Sequence, residues 1–326
     1  MTVAEAFAAA HADDPGTAQL AVYRDGQLVL DLTNGRPDAI GTVMSCTKGV
    51  VAVAAHRLVQ RGALDLDALV SDYWPEFTGR VTVAQALDHT AGLAGFVPAD
   101  PLDWDRCVNA LARMRPRWEP GTAVAYHALA WGWLAGELIR RVSGRSVGAF
   151  VAAEIAAPLG LELWIGLPEA LEPRVWEQLD DGFPLGRLFG TRAARAAEVP
   201  AANAVTDARS LARMYAALLG EVDGVRLLSP DAVERARAPR TDGLPLAGAP
   251  DGHAPRFGLG FELPRPGNPM LAPSSFGHAG AGGRLAFADV DSGLAVGYTC
   301  TVMRWRPERG PDPRWLPWLE ALRAWR

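Results

Sequence analysis

The chain has 326 residues, 49% of them hydrophobic and 21% charged, as in an ordinary globular protein with one large core or two joined lobes. Its net charge of −5 and its pI near 5.7 argue against a nucleic-acid partner or an anionic membrane. The three cysteines are scattered, and no apolar run is long enough to span a membrane. The first residues lack the basic and then apolar segments of a signal peptide. We therefore expect a cytoplasmic protein without disulfides.

The predicted elements begin with a β-hairpin over residues 18–33, where two apolar runs flank an Asp-Gly turn. A buried helix follows, because the apolar stretch Val50–Val59 closes on Gly62 and Ser45 stands near the N-cap. From about residue 66 to 200 the pattern is mostly helical, interrupted by loops rich in proline and glycine.

Later segments complete the fold prediction. Two helices, three strands and an amphipathic terminal helix are predicted at 129–142, 206–219 (capped by Thr206 or Asp207), 257–262, 284–290, 294–301 and 314–325. Strands near both ends with helices between them indicate a split α/β lobe that holds an inserted helical lobe. We expect one lobe from residues 1–65 and 201–326 and an inserted all-helical lobe from 66–200.

Lysine usage singles out one position. Among 32 lysines and arginines, Lys48 is the single lysine, three residues after Ser45. Only lysine can lose its proton at accessible pH, since the guanidinium of arginine stays charged. Compositional drift also explains a lone lysine, and Ser-x-x-Lys by itself matches by chance about once in a chain of this size. The pair is therefore a hypothesis for proton transfer that needs support from other motifs.

Three further segments supply that support. In chain order the motifs are Ser45-Cys46-Thr47-Lys48, Ala86-Leu87-Asp88-His89-Thr90-Ala91-Gly92-Leu93, Pro120-Gly121-Thr122 with Tyr126, and Gly277-His278-Ala279-Gly280-Ala281-Gly282-Gly283. In this order and spacing the chain resembles the serine β-lactamase/penicillin-binding-protein superfamily, and most closely its class C-related esterases, called family VIII carboxylesterases. The resemblance spans essentially the whole chain. It implies a β-lactamase/transpeptidase-like α+β fold, an antiparallel sheet flanked by helices, with the active site in the cleft between the two lobes.

The resemblance also assigns roles. Acyl transfer needs a nucleophile, a base and donors for the developing oxyanion. Ser45 would be the nucleophile, Lys48 and Tyr126 the acid/base pair, and the backbone amides of Ser45 and Ala281 the oxyanion hole. Which of Lys48 and Tyr126 is the formal base stays open, because strongly coupled groups titrate as a unit.

Two departures from the family pattern bear on the substrate. The third motif often begins with Lys-Thr-Gly, but here it reads His278-Ala279-Gly280, which replaces a fixed cation with a titratable imidazole. The asparagine two residues after Tyr126 is absent, which removes an amide for an acylamido side chain. Arg284 would partly restore a carboxylate anchor, so His278, Gly280 and Arg284 are the candidate substrate-binding residues. The balance favours a neutral, apolar ester.

Several other sequence patterns do not indicate catalytic or metal-binding residues. Gly144-Arg145-Ser146-Val147-Gly148 fits the nucleophile elbow of α/β-hydrolases, but a helix ends just before it, which favours a turn between helices. The six histidines lack metal-ligand spacing, and we predict neither a metal nor a cofactor. We expect His89 to pin a loop and Cys46 to be a small buried residue. Tryptophans of the helical segment, mostly core residues, would include some that wall an acyl pocket.

The sequence thus predicts a serine hydrolase that cleaves small carboxylic esters through an acyl-enzyme, without a nucleic-acid or membrane partner. An acyltransferase using the same acyl-enzyme is the first alternative. Residual β-lactamase or D-aminopeptidase activity is the second, and a non-catalytic binding protein the third. The oligomeric state is not predicted.

Overall fold

The computed structural model describes residues 1–96, 98–180, 184–248, 254–304 and 310–325. The strands are β1 (Ala18–Arg24), β2 (Gln27–Asn34), β3 (Gly41–Thr42), β4 (Leu163–Trp164), β5 (Leu179–Asp180), β6 (Val205–Thr206), β7 (Ser275–Gly280), β8 (Arg284–Asp289), β9 (Leu294–Cys300) and β10 (Val302–Met303). The α-helices are α1 (Val3–Ala10), α2 (Cys46–Gln60), α3 (Val70–Tyr73), α4 (Val83–Leu87), α5 (Trp104–Ala112), α6 (Ala130–Ser143), α7 (Val147–Val151), α8 (Ala157–Leu159), α9 (Pro184–Phe189), α10 (Arg192–Ala196), α11 (Ala208–Leu219), α12 (Pro230–Arg237) and α13 (Leu316–Arg323). A π-helical turn at Ala152–Ala156 and a 3₁₀ helix at Glu169–Arg174 complete the list.

The main sheet is antiparallel and has the strand order β2-β1-β9-β8-β7. Its first hairpin is the predicted one, and Asp25 and Gly26 both take the positive φ that a tight hairpin turn needs. The prediction of a strand over 257–262 is wrong. Only isolated bridges form there, because Gly260, at φ +89°, bends the backbone. Among the five strands of this sheet, β7 is the one that no strand-like run in the sequence predicted, because two of its six positions are glycine.

Helices cover both faces of the sheet. α2 and α11 pack on one face, over Ala286, Ala288 and Ala295. α1 and α13 cover the other face, over Leu285 and Phe287. Because successive side chains of a strand point to opposite faces, one run of β8 contributes to both cores. The site-bearing strand β7 lies at the edge of this sheet, beside the beginning of α2.

Helix α2 is buried on every side, from Cys46 through His56. A side chain at Gly49 would collide with the Tyr215 hydroxyl, so the packing demands glycine there. The helix ends as predicted, at Gln60, and Gly62 takes the left-handed conformation at φ +70°. A rigid core helix therefore carries Ser45 at its N-terminus.

Other predicted elements are also found. α6 matches the helix predicted at 129–142, and Asp207 rather than Thr206 caps α11 by accepting the Ser210 amide. Ser146 of the elbow-like motif caps α7 between two helices, so it is a turn residue. No helix in the described ranges has the length and apolar character needed to cross a bilayer.

Candidate active site

Three side chains meet at the N-terminus of α2. The Lys48 Nζ donates to the Ser45 Oγ at 3.2 Å, and the Tyr126 hydroxyl donates to the same oxygen at 2.8 Å. Ser45 and Lys48 are adjacent because three residues make nearly one helical turn. Tyr126 arrives from a loop 81 residues further along the chain. The serine hydroxyl is thus bracketed by two groups that can take or give a proton.

Lys48 is fully buried, and its second partner is the Ala201 carbonyl at 3.0 Å. Burial lowers the pKa of its amine to about 7, against an opposing effect from the carboxylate of Glu262. A large fraction of the amine is therefore neutral near pH 7, as a base requires. The Nζ also lies 4.8 Å from the centre of the Tyr126 ring.

Tyr126 is held by aromatic neighbours. Its ring packs against His89 at 5.1 Å and Phe257 at 6.1 Å between ring centres. The residue keeps 37% of its surface accessible, but protein atoms crowd the phenol, and this desolvation raises its pKa above the usual value. His89 is buried and its Nδ1 accepts the backbone N–H of His127, which is the loop-pinning role predicted for it. The phenol therefore stays protonated near neutral pH.

The backbone directly before Ser45 has an unusual conformation. Met44 is at φ +49°, a conformation that costs a residue with a long side chain about 1–2 kcal/mol. The Thr47 hydroxyl donates to the Met44 carbonyl at 2.6 Å and stabilises the bend. Across the cleft, Ala281 follows the last residue of β7 and faces the same pocket as Ser45. Within the described residues, no protein acceptor engages the amide N–H of Ser45 or Ala281.

A pocket of about 270 Å³ opens above Ser45. Its walls are mostly apolar, and they consist of Met44, Ser45, Tyr126, Ala128, Leu129, Ala202, Pro255, Phe257, Glu262, Arg265, His278, Ala279 and Ala281. Trp131 and Trp133 are fully buried in the helical core instead. The expectation that tryptophans wall the pocket is therefore wrong for the described residues, and Tyr126 and Phe257 supply the aromatic surface.

The three predicted substrate-binding residues have different outcomes. His278 lines the pocket, and its Nδ1 lies 2.6 Å from the Ala279 carbonyl. Its Nε2 is buried and has no hydrogen-bond partner among the described residues. Gly280 does not line the pocket, but a side chain there would strike the Val43 carbonyl, so glycine lets β7 approach α2. Arg284 is fully buried and also does not line the pocket. Its position as first residue of β8 directs it into the core, so the anchor prediction needs correction.

Sequence reasoning missed a carboxylate and a guanidinium in the pocket wall. Glu262 is 4% exposed and accepts hydrogen bonds from the Ala279 amide (3.1 Å) and the Asn268 side chain (2.9 Å). Arg265 pairs with Glu262 at 3.1 Å and lines the same pocket. Neither residue belongs to a motif, and the strand predicted over 257–262 gave no sign that Glu262 faces the pocket, so only the structure reveals them.

Within the described ranges the candidate metal ligands do not cluster, and the thiol of Cys46 is buried. Among the described residues no group of three or more His, Cys, Asp and Glu side chains is placed to hold a metal ion, and His253 lies outside those residues. Cys46 is fully buried, its thiol donates to the His278 carbonyl, and burial raises its pKa. It is the small buried residue that the sequence predicted.

Comparisons with known proteins agree with one another. A family model described as beta-lactamase matches residues 4–316. The esterase/beta-lactamase LipL of Mycobacterium tuberculosis is 34% identical, covering 86% of this chain and 76% of LipL. A solved family VIII carboxylesterase has a TM-score of 0.89 and 34% identity, over 99% of this chain and 96% of that one. A penicillin-binding protein homologue from Caulobacter crescentus has a TM-score of 0.89 and 35% identity over the same shares.

Proposed function

Because this chain belongs to the β-lactamase family, we propose that it is a serine carboxylesterase-type hydrolase that works through an acyl-enzyme on Ser45. One observation carries the proposal: the Ser45 hydroxyl lies within hydrogen-bond distance of both Lys48 and Tyr126, at the base of an apolar pocket. Nucleophilic catalysis needs such a bracketed hydroxyl. The named similar proteins include esterases, which favours esters over the alternatives.

In acylation, neutral Lys48 takes the proton of Ser45 as the Oγ attacks the ester carbonyl. We assign this step to Lys48 because its pKa is about 7, whereas the pKa of Tyr126 is raised. The carbonyl oxygen becomes an oxyanion that the amides of Ser45 and Ala281 stabilise. Each donor of this kind typically contributes about 10²–10³ in rate.

Collapse of the tetrahedral intermediate breaks the bond to the alcohol. Tyr126 gives its proton to the leaving alkoxide and regains one from the Lys48 ammonium. In deacylation the same two groups accept a proton from water, which attacks the acyl carbon. They return that proton to the Ser45 Oγ as its bond to the acyl carbon breaks and the acid is released. Ester and water are consumed, acid and alcohol are released, and both side chains return to their starting states.

The pocket wall supports a neutral, mainly apolar acyl group. Burial lowers the pKa of His278 to about 4, so the imidazole is neutral at pH 7 and cannot replace a cationic carboxylate anchor. With Nδ1 donating to the Ala279 carbonyl, its Nε2 is left as an acceptor. Arg265 is already paired with Glu262. These features favour simple esters over β-lactams, and nothing observed favours an acyl acceptor other than water.

Turnover of p-nitrophenyl butyrate by wild type, Ser45→Ala and Lys48→Arg tests the proposal. We expect both variants to lose turnover: the first lacks a nucleophile, and the second cannot provide a neutral base. Full activity in Lys48→Arg would show that only a positive charge is needed and would refute the base assignment. Added short alcohols should not outcompete water; preferential ester formation with them would instead identify an acyltransferase.

A further inference from the structure

The turn that follows β7 carries Ala281, the second oxyanion donor of the proposed function. The Gly283 amide donates to the Gly280 carbonyl at 3.1 Å, which closes a four-residue turn. Gly282 and Gly283 take φ +81° and +106°, values that favour glycine. With positive φ at its third residue, this turn has the type II form.

Three consecutive carbonyls of this turn are held by side-chain donors. Arg284 donates to the Ala281 carbonyl at 3.2 Å, Arg314 to that of Gly282 at 2.8 Å, and Trp315 to that of Gly283 at 2.8 Å. All three donors are buried, with Arg314 only 6% exposed. We name Arg284, Arg314 and Trp315 the turn clamp.

Arg314 is itself fixed from several sides. It pairs with Asp312 at 2.6 Å and donates to the Val302 carbonyl at 2.9 Å. A side chain at Gly283 would collide with both Arg314 and Asp312, so glycine allows the guanidinium to reach the backbone. The guanidinium therefore has one orientation, in which it faces the turn.

The contact of Arg314 reaches the oxyanion donor through two peptide groups. The Gly282 carbonyl that it holds shares a peptide plane with the Gly283 amide, which donates to the Gly280 carbonyl. The Gly280 carbonyl in turn shares a plane with the Ala281 amide. In a trans peptide the C=O and N–H point in opposite directions, so fixing one fixes the other. Hydrogen-bonded amides also polarise one another, which strengthens the last donor of the chain.

Arg284 gives independent support for a functional turn. It is fully buried, yet its Nε and Nη2 have no hydrogen-bond partner within the described residues. Burying a cation with so few partners is unfavourable for folding. Stability alone therefore does not explain why an arginine is buried here. Its hydrogen bond to the Ala281 carbonyl does explain it, because this bond orients the central peptide of the turn.

From these contacts we propose that Arg314, with Arg284 and Trp315, is a positioning residue of the oxyanion hole. It acts through two peptide groups to aim and polarise the Ala281 amide. The inference rests on the proposed function, since an oxyanion must form for this amide to act on. It predicts that the turn clamp affects the transition state rather than substrate binding.

Arg314→Lys tests the central residue, because lysine keeps the charge but cannot hold Asp312, Val302 and Gly282 together. We expect kcat/KM for p-nitrophenyl butyrate to fall about 30- to 300-fold, near the roughly 10²-fold cost of misplacing a reacting group, with little change in KM. The inhibition constant of butylboronic acid, whose tetrahedral adduct places an oxygen in the oxyanion hole, should rise by a similar factor. Active sites are counted by titration with a fluorophosphonate. If Arg314 had a purely structural role, neither kcat/KM per active site nor the inhibition constant of butylboronic acid would change.

Trp315→Phe is the second variant, in case Arg314→Lys does not fold, and Trp318→Phe is its matched control. Both tryptophans are fully buried near the same helix, but the Trp318 Nε1 has no hydrogen-bond partner among the described residues. We expect Trp315→Phe to lose about tenfold in kcat/KM, less than loss of an oxyanion donor itself, and Trp318→Phe to keep the wild-type value. Equal kinetics for these two variants would overturn the proposal. Absence of turnover in wild type would instead contradict the proposed function, and the clamp's catalytic role with it.

Discussion

Replacing Lys48 with methionine should stabilise the fold while it abolishes activity. The pKa of the buried amine falls from 10.5 to about 7, which costs about 5 kcal/mol of folding free energy at pH 7, at about 1.4 kcal/mol per pKa unit. Methionine avoids this cost but leaves the Ala201 carbonyl without its buried donor, a loss of about 1–3 kcal/mol. The expected net gain at pH 7 is therefore about 2–4 kcal/mol.

The gain should depend on pH in a defined direction. Between about pH 7 and 10.5 the unfolded chain holds the Lys48 proton and the folded chain does not, so wild-type stability rises with pH by up to about 1.4 kcal/mol per unit. The variant lacks this contribution. Its advantage over wild type should therefore shrink as the pH rises and vanish near pH 9.5.

Urea denaturation followed by tryptophan fluorescence at pH 7 and pH 9.5 measures both quantities. Ser45→Ala is the control, because it removes activity but keeps the buried amine. A Lys48→Met variant that is less stable than wild type at pH 7 would refute the reasoning. So would a stability difference that is the same at both pH values, since a buried, neutralised amine requires it to change.

Two further predictions concern the acid/base pair. The kcat/KM for p-nitrophenyl butyrate should rise as the pH increases through about 7, because Lys48 acts when neutral; a pH-rate profile that is flat from pH 5.5 to 8.5 would contradict this assignment. Tyr126→Phe keeps the ring packed against His89 but removes the hydroxyl that donates to Ser45. The variant should lower kcat/KM for ethyl butyrate by about 10²- to 10⁴-fold, and much less for the p-nitrophenyl ester, because that leaving group needs no proton. Equal losses of kcat/KM on both esters would exclude Tyr126 as the acid.

The local parts of the site are predictable from the sequence. Ser45 and Lys48 meet because their spacing on one helix dictates it, and the unique lysine marks the position. Tyr126 and Ala281 were placed by the order of family motifs, since nothing local in the sequence shows that a loop and a strand end converge on α2.

The remaining residues depend on tertiary contacts that leave no sequence signal. Glu262 and Arg265 lie in irregular backbone, where neither periodicity nor a motif reports that they face the pocket. Arg284 follows the glycine turn directly, which suggested a position in the cleft. The register of β8, in which Arg284 pairs with Gly280, buries it instead. The burial of Arg284 is thus set by the alternation of side chains along the strand and not by its proximity in sequence to the glycine turn.

The central claim is that the protein forms an acyl-enzyme on Ser45. Intact-protein mass spectrometry after brief exposure to p-nitrophenyl butyrate, and separately to a fluorophosphonate, tests it most directly. We predict one butyryl or one phosphonyl group per wild-type chain, located on the peptide that contains Ser45, and no adduct on Ser45→Ala. An adduct that persists in Ser45→Ala, or wild-type ester turnover without modification of Ser45 by either reagent, would contradict the account.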